Sequence, residues 1–320
     1  MENRITWGIL GPGIIAHEFV QDFNHVNNAV VGAVASRSAQ RAKDFAAEYQ
    51  IPSHYEGYDE LYADPSIDAI YVATPHNFHL EQSLAALQAG KAVLCEKPLT
   101  ISTGESKELI SYSREKDLYL AEAMWTYFLP SIQKAQEWVE QGRLGKILHV
   151  KADFGYPVPF DAESRFYNPE LAGGSLYDMG IYPIAIASLF IKKKYQSLVV
   201  SSTICETGVD VDTAIHLDYG DETAQLQSAF RCKLHNHAYI VGEKGYIVLP
   251  DFWRARECHL YVHEKKEDSF KDHRKGHGFE FEIASISNDI LQGKKESSVV
   301  SHETSMSFQQ LMEEVRNQFS

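Results

Sequence analysis

The chain has 320 residues, 44% of them hydrophobic and 12% aromatic, with a formal net charge of −14. That length points to two domains with well-buried cores, and that composition excludes a disordered chain. The acidic excess is −7 on each side of residue 121, so neither part offers a broad basic face to nucleic acid.

The first element is the apolar run Ile5–Leu10, a strand by length and composition. It feeds Gly11-Pro12-Gly13-Ile14-Ile15-Ala16 and then an amphipathic stretch with Phe19, Val20 and Phe23. Strand, glycine turn and helix in that order make the G-x-G-x-x-A form of the dinucleotide fingerprint. Gly11 permits the sharp turn, Gly13 lacks the Cβ that would hold a pyrophosphate off the backbone, and Ala16 lets the helix lie close on the strand. Ile14 and Ile15 open that helix, whose free N–H groups and dipole face the anion.

Further strands are expected at Val30–Ala35, Ala69–Ala73, Ala92–Cys95 and Tyr119–Ala121. Helices near 14–25, 38–49, 57–63, 77–89 and 102–116 lie between them. Strands too apolar to face water, alternating with helices, predict α/β architecture: a doubly wound parallel sheet, a Rossmann domain over residues 1–121. Right-handed crossovers then set the strand carboxyl ends along one edge, where ligands bind.

The second strand ends Ala35-Ser36-Arg37-Ser38, with Arg41 one helical turn beyond Arg37. An NAD site places an acidic residue at that point. Here a hydroxyl, Ser36, and two guanidinium groups, Arg37 and Arg41, suit the 2′-phosphate of NADP. The same arginines also fit an ordinary exposed helix start. NADP is the expected cofactor, with NAD second.

After residue 121 the rhythm changes. A helix near 130–141, a strand at 146–154 and a helix near 175–191 precede strands at roughly 196–205, 211–219, 222–232, 237–242, 245–249 and 256–263. Helices near 278–292 and 302–318 close the chain. Alternation such as Thr213-Ala214-Ile215-His216-Leu217 fits antiparallel neighbours. Residues 122–320 thus read as an α+β domain with a large, mostly antiparallel, open-faced sheet. No linker rich in Pro, Gly or Ser marks the boundary, which predicts tight packing around a shared cleft.

Two clusters carry reactive side chains. The strand Ala92–Cys95 ends abruptly in Glu96-Lys97-Pro98, which sets a lysine at a carboxyl edge, where a nicotinamide ring would rest. An ammonium there can orient a hydroxyl and lower the pKa of a neighbouring acid. In Gly173-Gly174-Ser175-Leu176-Tyr177-Asp178-Met179-Gly180-Ile181-Tyr182, Asp178 and Tyr182 stand four apart, on one face of a helix. A phenol beside a lysine can move a proton to or from a substrate oxygen. A charged turn, a solvated aspartate and a core tyrosine remain the competing readings.

Together, the G-x-G-x-x-A turn, Glu96-Lys97-Pro98 and the glycine-led Asp178-x-Gly180-x-Tyr182 resemble the glucose–fructose oxidoreductase/inositol dehydrogenase family, over essentially the whole chain. Glu122-Ala123-Met124-Trp125-Thr126, Gly180-Ile181-Tyr182 and Glu206-Thr207-Gly208-Val209-Asp210 are most similar to its branch of dimeric dihydrodiol dehydrogenases and NADP-linked D-xylose dehydrogenases. Tyr182 is the more specific marker, since much of the family carries histidine there.

The resemblance implies a hydride transfer between a nicotinamide and a carbinol or carbonyl carbon of a sugar, polyol or vicinal diol. Lys97 would polarise the substrate hydroxyl and depress the pKa of Tyr182, the acid–base, while Asp178 would orient the substrate or the catalytic pair. The Lys97–Pro98 bond would be cis. Trp125, Phe154 and Phe279 would wall the substrate pocket, and Thr74, His76, His79 and Glu96 would sit by the cofactor. A homodimer through the open face of the second sheet is implied as well. A reductase of a non-sugar carbonyl or imine, or a non-catalytic NADP-binding sensor, is the rival reading, because substrate choice rests on loops such as Tyr156–Asn168.

His76 with His79, His235 with His237 and His273 with His277 invite a metal, but no carboxylate or cysteine stands near at ligand spacing, so none is expected; His76 and His79 are read instead as hydrogen-bonding the cofactor or substrate. Cys95, Cys205, Cys232 and Cys258 are scattered without pairing motifs. With no leader pattern ahead of the first strand and no apolar run of membrane-spanning length, the cytoplasm is the expected location.

Overall fold

The computed structural model describes residues 4–319. Met1–Asn3, on which the expectation of no leader partly rests, and Ser320 lie outside them. Packing divides the chain into two compact units: residues up to Trp125 with Arg274–Met306, and Thr126–His273 with the residues from Ser307 onward.

The first unit alternates β1 (Ile5–Leu10), α1 (Ile14–Asp22), β2 (Ala29–Ser36), α2 (Ala39–Tyr49), β3 (Ser53–Glu56), α3 (Asp59–Ala63), β4 (Ala69–Val72), α4 (His79–Gln88), β5 (Ala92–Glu96), α5 (Thr103–Glu115) and β6 (Leu120–Ala123). All six strands pair in parallel in the order β3-β2-β1-β4-β5-β6, the doubly wound Rossmann arrangement. β4 and β5 are buried at every position, as strands covered on both faces must be. Leu10, Ala35, Ile70, Val72, Val93 and Leu120 belong to the core cluster. β3, Ser53-His54-Tyr55-Glu56, is the strand that apolar content did not reveal. It is a four-residue edge, half solvated and polar.

In the second unit the elements are α6 (Pro130–Glu140), β7 (Ile147–Gly155), α7 (Ile181–Phe190), β8 (Ser197–Ile204), β9 (Asp210–Asp218), β10 (Thr223–Ala229), β11 (His237–Gly242), β12 (Gly245–Pro250), β13 (Glu257–Val262) and β14 (Lys265–Lys271). They form one eight-stranded sheet, β14-β13-β12-β11-β7-β10-β9-β8. Every pairing is antiparallel except β7 with β10, where the chain re-enters the sheet beside its first strand. Alternation divides the faces: Val150, Ala152, Ile215, Leu226, Ile240 and Ile247 are buried, with α7 packed against β7, β10 and β11 and α6 against β12 to β14. The other face is open, with His149, Lys151, Gln225 and Val199 on it. β14, Lys265-Lys266-Glu267-Asp268-Ser269-Phe270-Lys271, is a charged edge strand that hydropathy did not reveal.

α8 (Phe279–Leu291) follows in the first unit, and α9 (His302–Arg316) contains residues of both units. Among the described residues no helix is long and apolar enough to cross a membrane.

Candidate active site

In the first unit the glycine turn has the geometry that a dinucleotide needs. Gly11 has φ +94°, and a Cβ there would lie 2.9 Å from Thr74 Cγ2 and 3.1 Å from the Ala73 carbonyl oxygen. Gly13 is the extended N-cap of α1; a Cβ on it would meet only the Ala73 carbonyl, at 3.7 Å. The amino end of α1 has no side-chain cap and no acid in its first turn, so its N–H groups and dipole are open to an anion. Ile14 is 86% exposed on that turn, and Ile15 is half-buried.

Ser36 ends β2 as a buried hydroxyl that accepts the Ser38 N–H at 3.2 Å. Arg37 is exposed, its guanidinium 5.8 Å from the Phe78 ring centre. Arg41 reaches back from α2 and donates to the Pro12 carbonyl at 3.1 Å, which ties the arginine to the glycine turn. These groups fit a coenzyme with two phosphate positions, one at the helix end and one beside the arginines. Glu56 of β3 pairs in register with Ser36, a carboxylate one strand away that linear spacing did not place.

At the carboxyl end of β5 the Lys97–Pro98 bond is cis. Glu96 is buried; it accepts the Tyr71 hydroxyl and the Lys97 N–H, the latter at 3.1 Å. Tyr71 stacks on Phe19, centroids 3.7 Å apart. Glu122 accepts the Leu99 N–H at 2.8 Å, and burial pushes its carboxyl up to about 7 against the pull of Ser305 and Leu99. Glu282 of α8 is fully buried and both its oxygens lack a partner; burial, then Glu96 and Glu122, raise its pKa well above the carboxylate range. The backbone under Lys97 therefore rests on a packed, acid-rich interior.

His79 departs from expectation. It is fully buried, with Nδ1 2.8 Å from the Pro98 carbonyl and Nε2 2.9 Å from the Thr74 carbonyl, so no ring nitrogen is left for a cofactor. Its ring lies between the end of β4 and the Lys97–Pro98 turn, where the neutral imidazole donates to one of the two carbonyls, and burial lowers its pKa despite both. His76 is nearly buried, its ring 5.6 Å from that of His79. Thr74 donates to Gln82 at 2.5 Å. Phe279 is 1% exposed: it stacks on Trp125 at 4.3 Å and meets Phe19 edge-on, and so backs Trp125 rather than presenting a surface.

In the second unit Tyr182 lies in the first turn of α7, with the Phe154 ring edge-on at 5.4 Å. Residues Leu176–Gly180 just before it are wound as a π-helix, not the α-helix expected through 175–191. The wider turn alters the spacing of Asp178 and Tyr182, and such turns recur at functional sites. Asp178 accepts from Arg165 at 3.0 Å, and the Arg165 guanidinium lies 4.1 Å from the Phe166 ring centre. Asp210 anchors the segment: one oxygen accepts from the Ser175 hydroxyl, the Leu176 N–H and the Thr213 hydroxyl, at 2.7, 2.9 and 2.9 Å. Burial raises its pKa, partly offset by those donors. Trp253, which no sequence pattern singled out, stacks on Phe154 at 4.3 Å. Lys97, Glu96 and Trp125 belong to the first unit, and Tyr182, Asp178 and Phe154 to the second, where Phe154 meets Tyr182.

Residues 5–123 match the family described as "Oxidoreductase family, NAD-binding Rossmann fold", and residues 132–248 match "GFO/IDH/MocA C-terminal domain". The chain is 34% identical over 326 residues to a trans-1,2-dihydrobenzene-1,2-diol dehydrogenase of Xenopus tropicalis, covering 98% of this chain and 97% of the other. It is 33% identical to the Homo sapiens enzyme of the same name, covering 98% and 96%. Among solved structures, a 3-ketoreductase from Actinomadura kijaniata, KijD10, in complex with NADP and TDP-benzene superposes with a TM-score of 0.87 at 26% identity, 98% of each chain covered. An aldose–aldose oxidoreductase from Caulobacter crescentus shares the fold, with a TM-score of 0.90 at 22% identity and 98% and 97% coverage.

Proposed function

The chain belongs to the GFO/IDH/MocA family of nicotinamide-dependent oxidoreductases, and from that membership we propose that it is an NADP(H)-dependent dehydrogenase of sugars, polyols or vicinal diols. The observation that carries this reading is the anchoring of Lys97. The buried Glu96 carboxylate accepts its backbone N–H, at the strand edge where doubly wound sheets bind their ligands. NADP is favoured over NAD by the arginine pair at the end of β2 and by the bound NADP of the ketoreductase. The dihydrodiol dehydrogenase relatives support the substrate class.

When bound, the coenzyme supplies the hydride acceptor at its nicotinamide ring. Gly11, Gly13 and the amino end of α1 would hold its pyrophosphate. Ser36, Arg37 and Arg41 would hold the ribose phosphate of NADP. The Lys97 ammonium would hydrogen-bond the substrate hydroxyl, and Tyr182, as its phenolate, would take the hydroxyl proton as the carbinol carbon is oxidised. Asp178 orients the substrate, and Trp125 and Phe154 exclude water from it. A second copy covers the open face of the eight-stranded sheet, where Tyr239, Tyr246 and the 61% exposed Val199 lie. All four cysteines are free, which suits a reducing cytoplasm.

The test is a panel of aldoses, polyols and trans-diols with NADP or NAD, followed by nicotinamide absorbance. Lys97→Ala and Tyr182→Phe should each lower turnover by at least about a hundredfold while NADPH still binds. Full activity in both variants rules the reading out. Tight coenzyme binding with no turnover on any compound favours a sensor.

A further inference from the structure

Next to Tyr182 the second unit holds a cation that no part of the proposed chemistry uses. The rings of Phe154, Tyr156 and Trp253 form one cluster: Phe154 meets Tyr156 at 5.9 Å and Trp253 at 4.3 Å, and Tyr156 meets Trp253 at 5.8 Å. The same Phe154 ring touches Tyr182. The Lys233 ammonium lies over this cluster, 3.9 Å from the Tyr156 ring centre and 5.9 Å from that of Trp253.

The backbone puts it there. Gly155 brings the turn after β10 close: a Cβ at that position would stand 2.8 Å from Leu234 Cγ and 3.0 Å from the Cys232 carbonyl. The Leu234 N–H donates to the Gly155 carbonyl at 3.2 Å, and the Gly155 N–H donates to Asn236 Oδ1 at 2.9 Å. Tyr156 in turn donates its N–H to the Ala229 carbonyl at 3.1 Å. Turn and strand end are therefore laced together, and Lys233 is held against Tyr156 from an exposed position. Among the described residues it makes no ion pair; ring faces are its partners. An ammonium so placed keeps its donors for a ligand, because a ring satisfies its charge without consuming all three N–H groups.

Resting on the proposed function, we infer that Lys233 is a specificity residue: it receives an anionic substituent, a carboxylate or phosphate, on a sugar or polyol whose reacting carbinol lies by Tyr182. An anion in a chain of net charge −14 needs such a local cation to dock. The aromatic cluster supplies a flat wall for the carbon skeleton, and Lys233 its charged end.

The experiment compares glucose, glucuronate and glucose 6-phosphate as substrates with NADP for the wild type, Lys233→Gln and Lys233→Arg. In the wild type, kcat/KM should favour at least one anion over glucose. In Lys233→Gln that preference should fall by about tenfold or more, through KM, with glucose unchanged and Lys233→Arg restoring much of it. Which anion is lost separates carboxylate from phosphate. An anion-to-glucose ratio unaltered in Lys233→Gln overturns the inference. If neither these compounds nor any polyol or trans-diol of the panel above is turned over, the dehydrogenase reading itself has failed. Calorimetric binding of the two anions then decides for Lys233, since equal affinity in wild type and variant, or none in the wild type, overturns it.

Discussion

Asp22, at the end of α1, and Glu280, in the first turn of α8, face each other as a carboxylate and a carboxylic acid although they are 258 positions apart. Asp22 accepts the N–H groups of His277, Gly278, Phe279 and Glu280 at 2.9, 2.9, 2.8 and 3.3 Å, and so caps a helix from far away in the chain. Burial would raise the Asp22 pKa, but the Glu280 hydrogen bond and the backbone donors outweigh it and hold it below its ordinary value. Burial, then the bond and charge of Asp22, push Glu280 up to about 7. The pair fixes Phe279, and through it Trp125.

Stability should therefore fall as pH rises from about 4.5 to about 7, because the folded protein keeps a Glu280 proton that the unfolded chain has released. The slope from this group is at most roughly 1.4 kcal/mol per pH unit. The lowered Asp22 acts in the opposite sense: its contribution is present above the ordinary aspartate range and is lost as pH falls through its folded value. Glu280→Gln keeps a donor for Asp22 and removes the ionisation. Urea denaturation should show the variant gaining on the wild type between pH 5 and 8. Parallel pH profiles would refute the shared proton.

The two glycines of the first turn should separate folding from coenzyme binding. Gly11→Ala meets Thr74 Cγ2 at 2.9 Å with φ at +94°, so it should cost about 1–2 kcal/mol of stability and weaken NADPH binding as well. Gly13→Ala has room and an ordinary φ, so its melting temperature should hold while the added methyl blocks the pyrophosphate. Nucleotide fluorescence titration beside thermal melts checks both, and unimpaired binding by Gly13→Ala would move the coenzyme away from this turn.

Coenzyme choice should rest on Arg37 and Arg41. Arg41→Ala removes a guanidinium already turned to the Pro12 carbonyl, and should weaken NADPH by about tenfold while leaving NADH unchanged. Glu56→Gln should shift preference further toward NADPH, since it removes the carboxylate in register with Ser36. Equal losses for both coenzymes in Arg41→Ala would place the arginine in general support of the turn.

Local chemistry made much of this legible in the sequence. The run Ile5–Leu10 with its glycine turn needs only neighbouring residues, as do the buried strands β4 and β5, and their order follows from chain rules. The edge strands β3 and β14 escaped because polar and charged residues protect an edge, which erases the apolar signal. The π-turn before Tyr182 has no composition of its own. Asp22, Asp210 and Trp253 matter through partners far along the chain, which linear spacing does not encode. His79 was misread because a histidine near a strand end looks alike whether its nitrogens face a ligand or two carbonyls.

Asp210 and Gly174 should be energetically coupled. Gly174 has φ +120°, and a Cβ there would stand 2.3 Å from Asp210 Oδ1, so the turn that leads to Tyr182 is shaped around this carboxylate. Asp210→Ala strands the Leu176 N–H, while the Ser175 and Thr213 hydroxyls can rotate to other acceptors. The cost is about 1–3 kcal/mol. Gly174→Ala should cost a similar amount through backbone strain and the clash. In the double variant the clash partner is gone, so the loss should be smaller than the sum of the two by about 0.5–1 kcal/mol or more. Urea midpoints of the four proteins measure the cycle. Strict additivity would mean that Gly174→Ala destabilises through φ alone and that Asp210 does not shape the turn.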